Sequence, residues 1–290
     1  MKITKAVITA AAPDQKSLPL QSLVDRNGEF RTALQLIARE AVDAGVEEIC
    51  VVICPGEQSN YEKAAGEHGS RLTFVEQNNP RGYGDALYRA RDFIDGQPFL
   101  HFVSDHIYLT GTAIGYARQL VRIAEVEACS VSGVQPTREN LLSYFGTVGA
   151  KRIGSRDSLF EVTQVVEKPT PTYAEQHLMV AGLRASHYLC LSGAHVLTPT
   201  VMELLAQACH ESSENVQLSP SLGQLAKQER YLATEINGCR FNIGMKYGLL
   251  KAQLALALAG KDRDEILQEL IQLVATVPGV SSNAFSEVNV

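Results

Sequence analysis

Short, almost wholly apolar runs alternate with amphipathic stretches over the first third of this 290-residue chain. The apolar runs predict buried strands at Lys5–Ala11 and Glu48–Cys54, a short strand at Arg71–Val75 and a fourth strand at Pro98–Ser104. The stretches between them predict helices at Thr32–Ala44, Ser59–His68 and Gly84–Ile94. Strands that are apolar on both faces and separated by helices are typical of a parallel sheet covered on both sides. We therefore expect ligands at the carboxyl ends of these strands, in loops 11–20, 76–85 and 104–109.

The rest of the chain has a more mixed pattern. It predicts strands at Cys129–Val134, Thr147–Ala150, Leu159–Glu167, Leu189–Leu197 and Tyr231–Glu235, and helices at Thr112–Glu127, Val201–Ala208, Tyr247–Ala259 and Asp262–Val274. The expected fold class is α/β, a Rossmann-like, doubly wound, mixed but mostly parallel sheet with C-terminal helices. We expect one domain over 1–260, a C-terminal helix over 261–277 and a loose tail at 278–290. Apolar stripes on the last two helices predict either packing onto the sheet or a homo-oligomer interface.

Composition narrows the function classes. Apolar residues make up 45% and charged residues 20% of the chain, which is ordinary for a globular protein. No apolar run approaches the ~20 residues of a membrane-spanning helix, so we expect no membrane partner. A net charge of −6 disfavours a nucleic-acid surface but allows a local cationic site for a small anion. The six cysteines include no CxxC pair and predict reduced thiols in a cytoplasmic protein.

Chemistry-bearing motifs follow several predicted strands. After the N-terminal KAVITAAAPDQKSLPLQSLVD come, in order, EQNNPRGYGDAL, FVSDHIYL, YFGTVGA, VVEKPTP and RFNIGMKYG. No single motif is specific, but their order and spacing are. From Lys5 to about Leu258, the chain resembles sugar-1-phosphate nucleotidyltransferases of the bacterial UTP–glucose-1-phosphate uridylyltransferase type. The resemblance implies the nucleotide-diphospho-sugar transferase type of α/β fold.

The resemblance also implies a reaction and a set of site residues. In that family a sugar-1-phosphate oxygen attacks the α-phosphorus of a nucleoside triphosphate and pyrophosphate leaves, so the protein must align two anions and place Mg²⁺. Asp105 and Asn242 match the metal positions, and Gln77 matches the glutamine that reads the uracil edge. The implied catalytic residues are Lys16, Asp105 and Lys168. The implied nucleotide-binding residues are Ala11, Ala12, Gln77, Gly82 and Gly84, and the implied sugar-phosphate-binding residues are Gly146, Glu167, Lys168 and Lys246.

Two motifs depart from the family pattern. The phosphate loop, which resembles G-x-G-T-R-x-x-P in the family, reads APDQKSLP at residues 12–19 and has no glycine. Pro13 removes a backbone N–H donor, Asp14 adds negative charge beside the expected triphosphate, and Lys16 replaces the forked arginine. Late in the chain, the family's Asp-x-Gly begins with Asn242, whose amide carbonyl can bind a metal but carries no charge.

Three hypotheses follow from this pattern. The first is a uridylyltransferase that uses UTP, or dTTP, and a sugar 1-phosphate, most simply glucose 1-phosphate. The second is a non-catalytic relative that binds a nucleotide or UDP-sugar and acts as a regulatory or partner subunit. The third is an unrelated doubly wound domain, such as a glycosyltransferase or methyltransferase, in which Asp105 caps a turn and the glycines only form turns. The third predicts that Gln77, Asp105, Lys168 and Asn242 do not converge on one cleft.

Overall fold

One nine-stranded sheet organises the computed structural model, which describes residues 1–154, 156–212 and 214–276. The strands are β1 Lys5–Ala10, β2 Ser22–Val24, β3 Phe30–Thr32, β4 Glu48–Ile53, β5 Leu72–Glu76, β6 Phe99–Val103, β7 His106–Leu109, β8 Ser130–Arg138, β9 Thr147–Ile153, β10 Arg156–Val166, β11 His187–Leu197, β12 Tyr231–Glu235 and β13 Cys239–Asn242. The helices are α1 Ala33–Asp43, α2 Gln58–Ala65, α3 Tyr83–Tyr88, α4 Arg91–Ile94, α5 Tyr116–Glu127, α6 Pro171–His177, α7 Thr200–Glu211, α8 Leu218–Gln228, α9 Gly248–Leu258 and α10 Arg263–Thr276.

The strand order in the large sheet is β5-β4-β1-β6-β11-β8-β12-β10-β9. Strands β1, β4, β5, β6, β8, β9 and β12 run in one direction, and only β10 and β11 run the opposite way. The predicted mixed, mostly parallel α/β sheet is therefore confirmed. Two short antiparallel ladders, β2–β3 and β7–β13, lie outside it.

Helices cover both faces of the sheet because the strand residues alternate between two apolar cores. Ile8 of β1 packs in one core with Leu34 of α1. Its neighbour Val7 packs in the opposite core with Leu222 of α8. Both faces of β1 are thus buried, as its unbroken apolar sequence predicts.

Some predicted boundaries are wrong, and two helices, α6 and α8, were not predicted. The predicted helix Gly84–Ile94 divides into α3 and α4, and the helix expected from Thr112 begins only at Tyr116. The missed α8 contains Pro220 and Gly223, which both have low helix propensity. Pro220 lies in the first turn, where the absence of its N–H leaves no helical hydrogen bond unmade. Helix α8 matters here because it forms one wall of the cleft described below.

None of the predicted stripe residues of the C-terminal helices is buried, so packing onto the sheet is not observed and the homo-oligomer interface stays a prediction. Helix α9 buries Gly248, Ala252 and Leu256 rather than the expected leucine stripe. Helix α10 buries none of its residues, and Ile271 and Val274 are exposed. The expected loose tail at 278–290 lies outside the described residues. Within the described ranges, no helix is both long enough and apolar enough to span a membrane.

Candidate functional site

A cleft of about 580 Å³ opens at the carboxyl ends of β1 and β6, in the size range of small-molecule sites. Nine of the twelve residues implied by the resemblance line it: Ala11, Ala12, Gln77, Gly82, Asp105, Gly146, Glu167, Lys168 and Asn242. The other three, Lys16, Gly84 and Lys246, are not part of its lining. Gln77, Asp105, Lys168 and Asn242 converge, contrary to what the unrelated-domain hypothesis predicts.

Gln77 is held at one end of the cleft by a buried ionic cluster. Its Nε2 donates to Asp85 Oδ2 at 2.7 Å and to the Gly82 carbonyl at 3.2 Å. Asp85 is fully buried and also accepts from Arg81 at 2.8 Å and from Arg89 at 2.5 Å. Burial alone would raise the pKa of Asp85, but hydrogen bonds from Arg89, Gln77 and Arg81 bring that pKa below its ordinary value. This cluster is not predicted from the sequence, because Asp85 looks like an ordinary first-turn residue of a helix.

The two glycines beside Gln77 serve packing. Gly82 has φ +107°, and an added Cβ would lie 2.7 Å from the Val216 carbonyl oxygen. Gly84 donates its N–H to that same carbonyl at 2.8 Å, and an added Cβ would meet the backbone of Gln217 at 2.9 Å. Both positions therefore require glycine so that the segment before α8 can pack against this loop. The N–H of Gly84 is engaged within the protein.

Asp105 and Asn242 are brought together by the β7–β13 ladder. His106, next to Asp105, pairs in register with Asn242, and the Asp105 carbonyl accepts the N–H of Ile243 at 2.8 Å. The Asn242 side-chain oxygen accepts from the N–H of Gly244 at 2.8 Å. A strand that was not predicted from the sequence, β13, thus delivers Asn242 to the cleft beside the carboxylate.

Glu167 and Lys168, just after β10, also line the cleft. Glu167 accepts a hydrogen bond from Ser219 of α8 at 2.5 Å. Lys168 has φ +44°, a rare value for a side-chain-bearing residue, and its Nζ lies 3.9 Å from Glu167 Oε1. An added Cβ at Gly146 would lie 2.9 Å from Ser219 Oγ and 3.3 Å from Glu167 Oε2. Ser219 is a further site residue that sequence reasoning missed together with its helix.

The loop after β1 is closed by its own hydrogen bonds. The N–H of Gln15 donates to the Ala12 carbonyl at 3.0 Å, so that donor does not face the cleft. Lys16 forms an ion pair with Glu57 at the start of α2, at 2.5 Å. The hydrogen bond and the charge of Glu57 raise the pKa of Lys16, and Lys16 lowers the pKa of Glu57 in return. Lys16 thus points to α2 rather than lining the cleft.

The charge balance of the cleft is negative. Among the described residues that line it, the carboxylates are Asp14, Asp105 and Glu167, and Lys168 is the only lysine or arginine. A ligand with several phosphate charges would therefore need added positive charge to bind here. The described residues contain no group of three or more His, Cys, Asp or Glu side chains placed to hold a metal.

A network of neutral histidines supports part of the cleft lining. His101 Nδ1 lies 3.0 Å from the Val7 carbonyl, which can only accept, so Nε2 accepts from Tyr83 OH at 2.7 Å. Burial lowers the pKa of His101 to about 4. His195 stacks on His101 and bonds Ser132 through Nδ1 at 2.6 Å. The network fixes Tyr83 and His195, both of which line the cleft.

The doubly wound sheet and the cleft at its strand ends define a ligand-binding α/β protein. A model of the nucleotidyl transferase family matches residues 23–254, and the chain belongs to that family. The UTP–glucose-1-phosphate uridylyltransferase of Streptococcus pneumoniae serotype 4 is 28% identical over 300 residues, covering 94% of this chain and 96% of the relative. A Streptococcus pyogenes protein of the same name is 26% identical over 297 residues, covering 93% of this chain and 94% of the relative.

Solved structures share the fold. A UDP-glucose pyrophosphorylase complexed with UDP-glucose superposes with a TM-score of 0.72 at 20% identity, covering 88% of this chain and 98% of that one. A UTP-bound enzyme of this type from Acinetobacter baumannii gives 0.72 at 22% identity, covering 94% of this chain and 100% of that one. At these identities the likeness concerns the fold.

Proposed function

We propose that this protein transfers a uridylyl group from UTP to a sugar 1-phosphate, glucose 1-phosphate in the first instance. A phosphate oxygen of the sugar attacks the α-phosphorus, the new P–O bond forms, and the bond to the β-phosphate breaks so that pyrophosphate leaves with its electron pair. The observation that carries the proposal is the convergence of Gln77, Asp105, Glu167 and Lys168 on one cleft. The names of the streptococcal relatives favour UTP and glucose 1-phosphate as substrates.

Gln77 would select the base. Its Nε2 is committed to Asp85 and the Gly82 carbonyl, so Oε1 is the group available to accept a hydrogen bond. Uracil offers a donor at N3–H, whereas cytosine offers an acceptor at N3 and would be rejected. Thymine shares the uracil edge, so this contact alone does not separate UTP from dTTP.

Glu167 and Lys168 would hold the sugar phosphate. The Ser219 hydrogen bond orients Glu167, leaving its other oxygen to accept from sugar hydroxyls. The ammonium of Lys168 supplies positive charge for the phosphate. Aligning this phosphate with the α-phosphorus is the main catalytic task, because in-line transfer requires positioning rather than a protein nucleophile.

Mg²⁺ fits the oxygen donors beside the strand ends. Asp105 supplies a carboxylate and Asn242 an amide oxygen, and Mg²⁺ in nucleotide sites is commonly held by one or two carboxylates with water and substrate phosphates. When bound, the ion neutralises phosphate charge, which the anionic lining of the cleft does not do by itself. Asp105 and Asn242 are the residues that we propose hold it.

Pyrophosphate release from UTP and glucose 1-phosphate, with Mg²⁺, tests the proposal. We expect turnover in the wild-type protein and a loss of about 10³-fold or more in Asp105→Ala, because charge stabilisation is lost. Asp92→Ala should turn over at the wild-type rate. Asp92 is the matched control because its carboxylate is exposed on α4, outside the cleft. Turnover in Asp105→Ala equal to that in Asp92→Ala would contradict the assignment.

The charge balance favours a second candidate, a relative that binds a UDP-sugar without turnover. Asp14 lines the cleft, Lys16 is paired with Glu57, and Asn242 lacks a charge. This candidate predicts UDP-glucose binding, no pyrophosphate release, and a gain of activity in Asp14→Gly/Asn242→Asp. Wild-type turnover that the double substitution leaves unchanged would exclude it.

A further inference from the structure

A second cavity, of about 340 Å³, lies beside the cleft and has the opposite charge. Its walls come from the end of β8, the start of β11, β13 and the first turn of α9. Four cationic side chains line it: Arg138, Arg240, Lys246 and Lys251. Its described lining contains no Asp or Glu, so we name it the basic cavity.

Arg240 is the buried element of the basic cavity. The residue is 7% exposed, and its guanidinium lies 3.9 Å from the centroid of the Phe145 ring. Its Nε and Nη2 are buried without a hydrogen-bond partner. Buried polar groups are normally paired, and an unpaired buried charge is costly, so these donors point to a missing anionic acceptor.

The N-terminus of α9 adds to this potential. Gly248 and Lys251 of its first turn line the cavity, and the helix runs for eleven residues. The N–H groups of these two residues donate to the Met245 and Tyr247 carbonyls, so the helix contributes the partial positive charge of its N-terminus rather than free donors. Within the described chain, Arg138, Lys246 and Lys251 form no ion pair with a carboxylate that would neutralise them.

We propose that the basic cavity binds a small polyanion through its phosphoryl groups, at a site separate from the cleft. Arg240 bonds the anion at the floor, while Arg138 and Lys251 hold it from the exposed rim. Phe145, Asn242 and Met245 belong to both walls, so the two sites are neighbours. The assignment does not depend on catalysis, because it rests on donors outside the cleft.

Titration of the full chain with inorganic pyrophosphate, without divalent metal, tests the site. Calorimetry gives the Kd, and the imidazole NMR signals of His187, which lines the basic cavity but not the cleft, report where the anion binds. We expect Arg138→Gln/Lys251→Gln to raise Kd about tenfold or more, the factor for losing one charge-assisted hydrogen bond. Neither of these two residues is assigned to the proposed reaction.

Two controls make the result specific. Lys63→Gln/Lys227→Gln removes the same charge from exposed sites outside both cavities, and Lys168→Gln removes the lysine of the cleft. Both should leave Kd within about twofold, because distant exposed charges are screened. No binding by wild type, an equal loss in the Lys63/Lys227 variant, or a loss confined to Lys168→Gln would overturn the proposal.

A parallel titration with UTP shows whether the basic cavity recognises only phosphoryl groups or a whole nucleotide. The His187 signals report binding in the basic cavity. If Arg138→Gln/Lys251→Gln raises the Kd for UTP and the Kd for pyrophosphate by the same factor, the site recognises phosphoryl groups alone. A larger factor for UTP that the His187 signals also report identifies a nucleotide as the preferred ligand of the basic cavity. Failure of the uridylyltransferase assay leaves these outcomes unaffected, because the probe and the varied residues differ.

Discussion

Replacing Asp85 by asparagine tests whether the buried cluster at the end of the cleft orients Gln77. The carboxylate accepts from Gln77, Arg81 and Arg89, and it can only accept. In Asp85→Asn, the remaining oxygen would face the two guanidinium groups, which leaves the new NH₂ group against Gln77 Nε2. Two donors then oppose each other at 2.7 Å, so the Gln77 amide must turn over or move.

The expected cost follows from the burial of this network. Removing one partner of a buried charge network costs about 3–5 kcal/mol. The side chains of Arg81 and Arg89 are 20% and 32% exposed and can be rehydrated, so we expect the lower end, about 3 kcal/mol. For a chain of this length that corresponds to a fall in Tm of about 5 °C. Circular dichroism is the suitable probe because the chain contains no tryptophan.

Function gives a second readout of the same substitution. A turned Gln77 presents its NH₂ group to the base, so the preference for uridine over cytidine nucleotides should fall by about tenfold, as expected for one hydrogen bond. Asp92→Asn, which alters an exposed carboxylate, should change neither stability nor preference. If Asp85→Asn melted with wild type and kept its base preference, the argument that Asp85 orients Gln77 would fail.

Three further perturbations test other parts of the molecule. Because burial lowers the pKa of His101 to about 4, the unfolded chain takes up a proton before the native state does. Stability should be complete above the unfolded pKa of about 6.5 and fall as pH drops from there to about 4. An unchanged urea midpoint across that window would contradict this. Gly146→Ala should weaken UDP-glucose binding while Gly111→Ala, which meets open space, should not. Equal Kd values in calorimetry would refute a role for the space beside Gly146. Glu57→Gln should release Lys16 and lower KM for UTP if that lysine can reach the triphosphate. A KM equal to or above that of wild type would rule this out.

Local patterns predicted the parallel half of the fold well. The apolar runs of β1, β4 and β6 need no distant information, because strands buried on both faces are apolar throughout. Strand β5 was also predicted, although it lies at the sheet edge and none of its residues is buried. Helix α8 escaped prediction because Pro220 and Gly223 weaken its pattern and tertiary packing stabilises it. Because that helix was not predicted, Ser219 and its hydrogen bond to Glu167 were not predicted either.

The site was predictable where a residue follows a strand and not where its partner lies far along the chain. Gln77 directly follows β5 and Asp105 lies two residues after β6, so the topology places them at the ligand edge. The pairing of Lys16 with Glu57 spans 41 residues and has no local signature. The position of Lys246, which lines the basic cavity rather than the cleft, also has no local signature in the sequence.

The distribution of charge between the cleft and the basic cavity indicates how an anionic ligand can bind although the phosphate loop is altered. The cleft contains three carboxylates and one lysine, whereas the adjoining basic cavity contains four cations and no carboxylate. Phe145, Asn242 and Met245 line both cavities, so the field of Arg240 and its exposed neighbours acts on the cleft across these three side chains. The cations of the basic cavity therefore supply positive charge near the cleft although the loop arginine is replaced. If the field matters, Arg138→Gln/Lys251→Gln should weaken UTP binding in the cleft more strongly at low ionic strength than at high. An effect independent of salt would instead place the loss in direct contacts within the basic cavity.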